Sequence, residues 1–347
     1  MRKVLLSVAV LLGICVQSIH AQSVIVNSHD LFFSGTPSGS GTGATEVSLD
    51  KTHTGLYTEG DNKTVVVSEK DAFGGNANCG VAVQGNHNTV NVAGGEIGGN
   101  AAYGLCVLGH CNIVNISAGE ITGNGKCGVC IKGNNNTLRI SGGAIVGNAE
   151  EGIKVLGHNN KIVLCGGKVD NNGRKGLSLL GAMNSVEVSL GGINNNGEDG
   201  VSCYGNMNAL TVSGGEIVGN CENGMTVYGN CCTMTITDGK IMCNEESGVS
   251  FRGKKCTLVM SGGKILENGK RDVSLAPGIF KKTITGGEVG TFHDHLEEKV
   301  KHEKEREKER EERELRDQKR REERELRRQQ RLREMELRMQ EMRKERD

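Results

Sequence analysis

The sequence predicts an all-β fold, a parallel β-helix of about ten 24-residue coils, followed by a long charged C-terminal α-helix. Three observations predict it. Asn76, Asn100, Asn124, Asn148, Asn172, Asn196, Asn220, Asn244 and Asn268 recur at an unbroken step of 24, and Gly80, Gly104, Gly128, Gly152, Gly176, Gly200, Gly224 and Gly248 keep the same step. A fixed period of this length marks one structural unit copied along an axis. Apolar and polar residues alternate over short runs, as in Val90 and Val92 or Leu105 and Val107, which is the period of a half-buried strand. No apolar spacing of three and four persists through the repeats, and glycine at this density destabilises helices.

Residues 1–21 read as a secretory signal peptide. Arg2 and Lys3 precede the apolar run of residues 4–16, and Ser18-Ile19-His20-Ala21 offers a small-residue cleavage site. That run is shorter than the ~20 residues a spanning helix needs, and no later segment supplies one. The mature chain is expected to be secreted, extracellular or at a cell surface, with no membrane span. Residues 22–59 lack the repeat; Phe32-Phe33 and the Gly/Ser-rich residues 34–43 suggest an N-terminal cap and loop over one open sheet edge.

Residues 60–291 are assigned to the β-helix. The coil at residues 85–108, GNHNTVNVAGGEIGGNAAYGLCVL, reads as three short strands separated by three bends. Stacked coils align in columns: Ile97, Ile121, Ile145, Val169, Ile193, Ile217, Ile241 and Ile265 form one, and Val92, Ile116, Ile140, Leu164 and Val188 begin another. Such columns bury as a continuous core between rungs about 4.8 Å apart. Asn at a tight bend tolerates left-handed backbone angles, and its amide can bond to the amides above and below it, so the nine Asn are expected to form a ladder. A second column, Asn88, Asn112, Asn136, Asn160, Asn184 and Asn208, passes to Cys232 and Cys256. At the far end Phe280 and Ile284 are expected to close the core.

Twelve of the 13 cysteines follow the signal, and in an exported chain they could pair. Cys106 and Cys130 stack on neighbouring rungs within bridging reach, as do Cys232 and Cys256. Free thiols that fill buried space are the favoured reading. The spacing of Cys106, Cys111, Cys127 and Cys130 resembles a zinc knuckle, but the register puts Cys111 in a different bend. No metal or cofactor is therefore expected.

Residues 292–347 form the charged tail. Glu309 and Arg313, Glu312 and Arg316, and Glu323 and Arg327 have helix-stabilising spacing, and only Leu332, Met335, Met339 and Met342 make a coiled-coil-like seam. Bases and acids balance at 42 each, giving no reason to expect nucleic acid or an anionic membrane as partner. Trp is absent and aromatics are 3%, so stacking platforms for sugars are sparse.

The rungs GGEIGGN (94–100), GGAIVGN (142–148) and GGEIVGN (214–220) resemble those of right-handed single-stranded parallel β-helix proteins of the pectin-lyase-like superfamily. The GGAI and Ile-x-x-Asn pieces are also similar to repeats of polymorphic outer-membrane adhesins. The resemblance implies either polysaccharide lyases and hydrolases or non-enzymatic tailspikes and adhesins. Its enzymes place carboxylates or bound calcium on an outer face. Here Glu96 above Glu120 is the single stacked carboxylate pair on a face, a weak catalytic candidate and more readily a solvated edge. The charged pairs Glu150-Glu151, Arg174-Lys175 and Glu198-Asp199 alternate in sign up one corner. The favoured function is a secreted structural or surface-interaction rod; the alternative binds or cleaves a polysaccharide. The partner is unknown, with self-association through the terminal seam, or a glycan or other cell-surface ligand, as the options left.

Overall fold

Every four-residue alternation in the repeats becomes a strand, and the strands of successive repeats lie in parallel, one above the next. The computed structural model describes residues 50–276, 279–294, 304–316 and 318–320, with Arg333 and Met335. The signal segment, the Phe32-Phe33 cap and most of the terminal seam lie outside the described residues. A first sheet of 11 strands begins with Leu56–Glu59, Val81–Gln84, Leu105–Leu108 and Val129–Lys132 and ends with Phe292–Asp294. A second runs from Thr64–Val67 through Thr89–Gly98 and Ile113–Thr122 to Ile279–Val289. The result is an all-parallel β-solenoid of about ten turns, consistent with a right-handed parallel β-helix.

Register follows the sequence period. Leu105 pairs with Val129 and Ile153 with Leu177, each 24 residues on. In the first rung Leu56 pairs with Val81, one residue further, which accommodates the extra residue there. One expectation needs correcting. The Gly94-Gly95 bend does not end a strand: Thr89–Gly98 is continuous, with a register shift between Val92 and Glu96. Gly95, at φ +74°, makes a bulge that turns the strand without breaking its ladder, so two expected strands become two limbs of one. They separate in the first rung, as Thr64–Val67 and an isolated bridge at Ala72, and again as Thr137–Ile140 and Ala144–Val146.

The Ile97 column lies at the centre, each member from Ile97 to Ile265 being at most 1% exposed. Each aliphatic stabilises by about 1.5–3 kcal/mol on burial. Gly128 shows why its column has no side chain: a Cβ there would lie 2.6 Å from Ile145 Cγ2 and 2.7 Å from Asn148 Nδ2. Of the two residues expected to close the core, Ile284 does not, and the Phe280 side chain lies outside the described residues. Ile284 is 42% exposed, while Val289 and Phe292 pack partly buried against the core.

The nine Asn form an uninterrupted ladder. The Oδ1 of Asn172 accepts from both the backbone N–H (3.1 Å) and the Nδ2 (2.9 Å) of Asn148, while its own Nδ2 donates to Ile145 O (3.1 Å) and Asn196 Oδ1 (3.0 Å). The same pattern joins Asn76 to Asn100 and Asn244 to Asn268. The file ends on Asp272, whose Oδ1 accepts from Asn268 N (3.0 Å) and Nδ2 (2.7 Å). The left-handed residue is not the ladder Asn but its predecessor: Gly99, Gly123, Gly147, Asn171 and Asn195 all have positive φ. Hydrogen bonding, rather than tolerance of left-handed angles, accounts for Asn in this column.

In the second column Cys232 and Cys256 replace the amide. Their thiols donate to Gly205 O (3.2 Å) and Gly229 O (3.1 Å), the role Asn208 Nδ2 fills toward Gly181 O (2.9 Å). Residues 304–316 and 318–320 are helical and exposed. Among the described residues no helix is long and apolar enough to cross a membrane.

Candidate functional site

On the first sheet, strand alternation sends Leu105 and Val107 into the core and Cys106 and Leu108 outward. The outward column is nevertheless buried: Cys106 and Cys130 are 0% exposed, and Ser178, Ser202 and Ser250 at most 4%. Residues of the turn before each strand rise beside this column on one side, and the side chains of Leu108, Tyr204 and Tyr228 stand on the other. The outer face is thus a filled trough along the rod, and its chemistry changes with height.

The lower end is thiol-rich. Cys79, Ala82, Tyr103, Cys106, Cys127 and Cys130 form a buried cluster separate from the main core, with Lys126 Nζ 5.4 Å from the Tyr103 ring centroid. Hydrogen bonds to Cys130 and Cys79, with burial adding, push the Cys106 thiol well up, whereas the bond from Cys106 pulls Cys79 below its ordinary value. Burial pushes Cys127 up, and neighbouring Cys130 and Glu151 act the same way. The Cys127 Sγ lies 3.3 Å from Glu151 Oε2 and 3.8 Å from Glu150 Oε2. Glu151 is 3% exposed. Burial raises its carboxyl, yet Lys154, with Nζ 3.3 Å from both oxygens, and the Cys127 thiol together hold it below its ordinary value.

Further up the trough becomes ionic and then hydroxylic. Glu198 receives Arg174 Nε at 2.8 Å and Lys175 Nζ at 3.6 Å, so that corner does pair opposite charges. Glu151, in contrast, pairs with Lys154 of its own rung. Asp199 takes no cation; it accepts from Asn223 Nδ2 and Thr226 Oγ1, both at 3.0 Å. The Tyr204 and Tyr228 rings stand 6.0 Å apart, with Lys175 Nζ 5.3 Å from the Tyr204 centroid. The buried Ser202 Oγ among them has no hydrogen-bond partner.

Glu96 and Glu120 are brought together, as direct partners on adjacent rungs of the second sheet. Both are exposed, and neither carboxylate has a hydrogen-bond or ion-pair partner among the described residues. The cavity of about 610 Å³ on that sheet lies higher, lined by Lys168, Leu190, Asn194, Glu216, Asp238 and Lys240, and includes neither. None of the twelve described cysteines is in a disulfide. Cys106 and Cys130 are direct register partners, as stacking required, but no disulfide joins them or Cys232 and Cys256. Cys111, at φ +56°, belongs to another bend and stays outside the thiol cluster, as the register indicated. Sequence reasoning missed Cys79 and Tyr103 and read Glu151 only as part of a charged corner. Reading every 24th residue from Cys79 gives Cys79, Tyr103, Cys127, Glu151, the signal that would have found the cluster.

No protein-family model matches this chain, and no curated protein matches it. Among solved structures it is similar to the crystal structure of the periplasmic alginate epimerase AlgG, with 13% sequence identity and a TM-score of 0.40, covering 69% of this chain and 75% of that one.

Proposed function

We propose that this chain is a secreted, non-enzymatic β-helix rod that serves as a structural or surface-interaction module, with its charged helix as spacer or association element. The observation that carries this reading is the pairing of outer charges from rung to rung. Lys240 meets Glu216 at 2.8 Å, Lys264 meets Glu288 at 2.8 Å, and Lys270 meets Glu246, each partner lying 24 residues away. General acid–base chemistry needs groups whose protonation is shifted toward the working pH and held in a cleft. These exposed, self-neutralised columns suit a surface that stays soluble and presents shape.

A second reading has one observation in its favour. Tyr204 and Tyr228, half-buried and spaced one rung apart with ring centroids 6.0 Å from each other, offer a pair of aromatic rings to a sugar chain. A glycan array and a reducing-end release assay on the full chain separate the two readings. The rod reading expects no new reducing ends and no change on Glu96→Gln or Glu120→Gln. Cleavage lost in either variant overturns it. Glycan binding lost on Tyr204→Ala, without cleavage, moves the assignment to a lectin-like rod. Sedimentation with and without the residues after 296 tests the tail: the same number of subunits in both excludes an association role.

A further inference from the structure

We propose that Cys127, Glu150 and Glu151 form a binding site for a borderline-soft divalent cation, zinc by its ligand chemistry, on the outer face of the first sheet. The repeat builds this site. Cys127 precedes the strand Val129–Lys132, and Glu151 occupies the equivalent position 24 residues on, in the adjacent rung. Two rungs therefore supply a thiol and two carboxylates to one point, and their ligand atoms all lie within 4.8 Å of one another.

The spacing that lets the thiol hydrogen-bond to the carboxylates also suits a metal held between them. Tetrahedral zinc, with Zn–S about 2.3 Å and Zn–O about 2.0–2.2 Å, holds sulfur and oxygen roughly 3.5 Å apart. The observed Sγ–Oε2 separations of 3.3 and 3.8 Å bracket that distance, so coordination needs little backbone movement. Cys127 is 0% and Glu151 3% exposed, which gives a dry inner wall, while half-buried Glu150 leaves an approach from solvent. The fourth position is left to solvent or a small ligand, since Cys127, Glu150 and Glu151 alone bring their ligand atoms within 4.8 Å of one another among the described residues. Thiolate with carboxylate donors selects zinc over magnesium or calcium, whose ligand sets are all oxygen. On binding, the Cys127 thiol loses its proton to the buffer and the sulfur bonds to the metal. Lys154 is the competing cation. Its Nζ spans both Glu151 oxygens at 3.3 Å, longer than the ~2.8 Å of a strong charge-assisted bond, so a divalent ion can displace it.

The test uses the reduced full-length chain. Zinc affinity is read by competition with a chromophoric chelator, and cobalt is added in zinc's place to report sulfur ligation through its thiolate charge-transfer band. The expected results are one tight equivalent, a thiolate band abolished by Cys127→Ser, zinc binding weakened at least ~10-fold by Glu151→Gln, and binding tightened by Lys154→Met. Glu150→Gln, at a half-exposed position, keeps the test decisive should the buried variants misfold, and is expected to weaken binding in a chain whose circular dichroism is unchanged. A cobalt spectrum without sulfur ligation, or zinc affinity indifferent to Cys127→Ser and Glu150→Gln, overturns the proposal; in the latter case the metal sits on other thiols.

Discussion

Replacing Asn172 by alanine tests whether the amide ladder holds the rungs together or merely accompanies them. The side chain is 1% exposed and sits mid-file. Its removal takes the acceptor from Asn148 N–H and leaves Ile145 O without the Nδ2 donor at 3.1 Å. The Asn148 amide keeps its bond to Ile121 O at 3.1 Å, and Asn196 Oδ1 keeps the Asn172 N–H, so two of the four neighbours are only weakened. Ile145 O keeps its ladder donor across the Ile145–Val169 register, so one buried group, the Asn148 N–H, is left unpaired; at about 1–3 kcal/mol, and with a small cavity, the cost is roughly 2–4 kcal/mol. Asn172→Asp retains the acceptor but loses the donor and buries a charge, so it should not rescue. Guanidinium unfolding followed by far-UV circular dichroism gives the total. Because coils interact mainly with their neighbours, hydrogen exchange localises the effect, with the Asn148 amide losing protection first. Stability lowered by less than about 1 kcal/mol, with Asn148 still protected, refutes the reasoning.

Gly128→Ala places a methyl within 2.8 Å of three atoms, Gly152 O among them, and is expected to lower stability by about 1–3 kcal/mol or more, read as a fall in thermal midpoint. Cys256→Asn restores the amide of its column and should leave stability level or higher, whereas Cys256→Ala, which strips the partner from Gly229 O, should lower it by about 1 kcal/mol or more. Burial raises the Asp272 carboxyl, but hydrogen bonds from Thr291 and Asn268 outweigh it and hold the group below its ordinary value of 3.8. A depressed native pKa contributes stability that is present above the unfolded value and lost as pH falls through the native one. Unfolding midpoints of the native chain should therefore drop below about pH 4, and Asp272→Asn should flatten that part of the profile. An unchanged slope in the variant counts against the assignment.

What the sequence disclosed was whatever repeats with the period. The Ile97 column and the Asn file could be read residue by residue because each position meets its own copy 24 residues later. Features that depend on how a coil bends were harder to see. Gly94-Gly95 looks like a strand end in sequence, and only the continuous ladder across the bulge shows that it is not. The left-handed angle fell one residue earlier than expected, because either neighbour of a tight bend can hold it. The trough was not legible because alternation equates outward with solvent. Tyr103, from a turn, packs in one buried cluster with Cys106, and Ser202 is likewise 0% exposed, and no local pattern announces this. Ile284 was misjudged for the converse reason: a residue in a core column is covered only when another rung follows.

Asp272 has a consequence for how far the stack can reach. A carboxamide both gives and takes a proton in hydrogen bonding, so each Asn can pass the interaction on, always in the same sense along the chain. A carboxylate only takes. The four donors at the Asp272 carboxylate, from Asn268 and Thr291, saturate it, and that side chain has nothing to hand to a successor. One oxygen in place of an NH₂ makes it a full stop: a second molecule arriving at that end finds no amide to continue from.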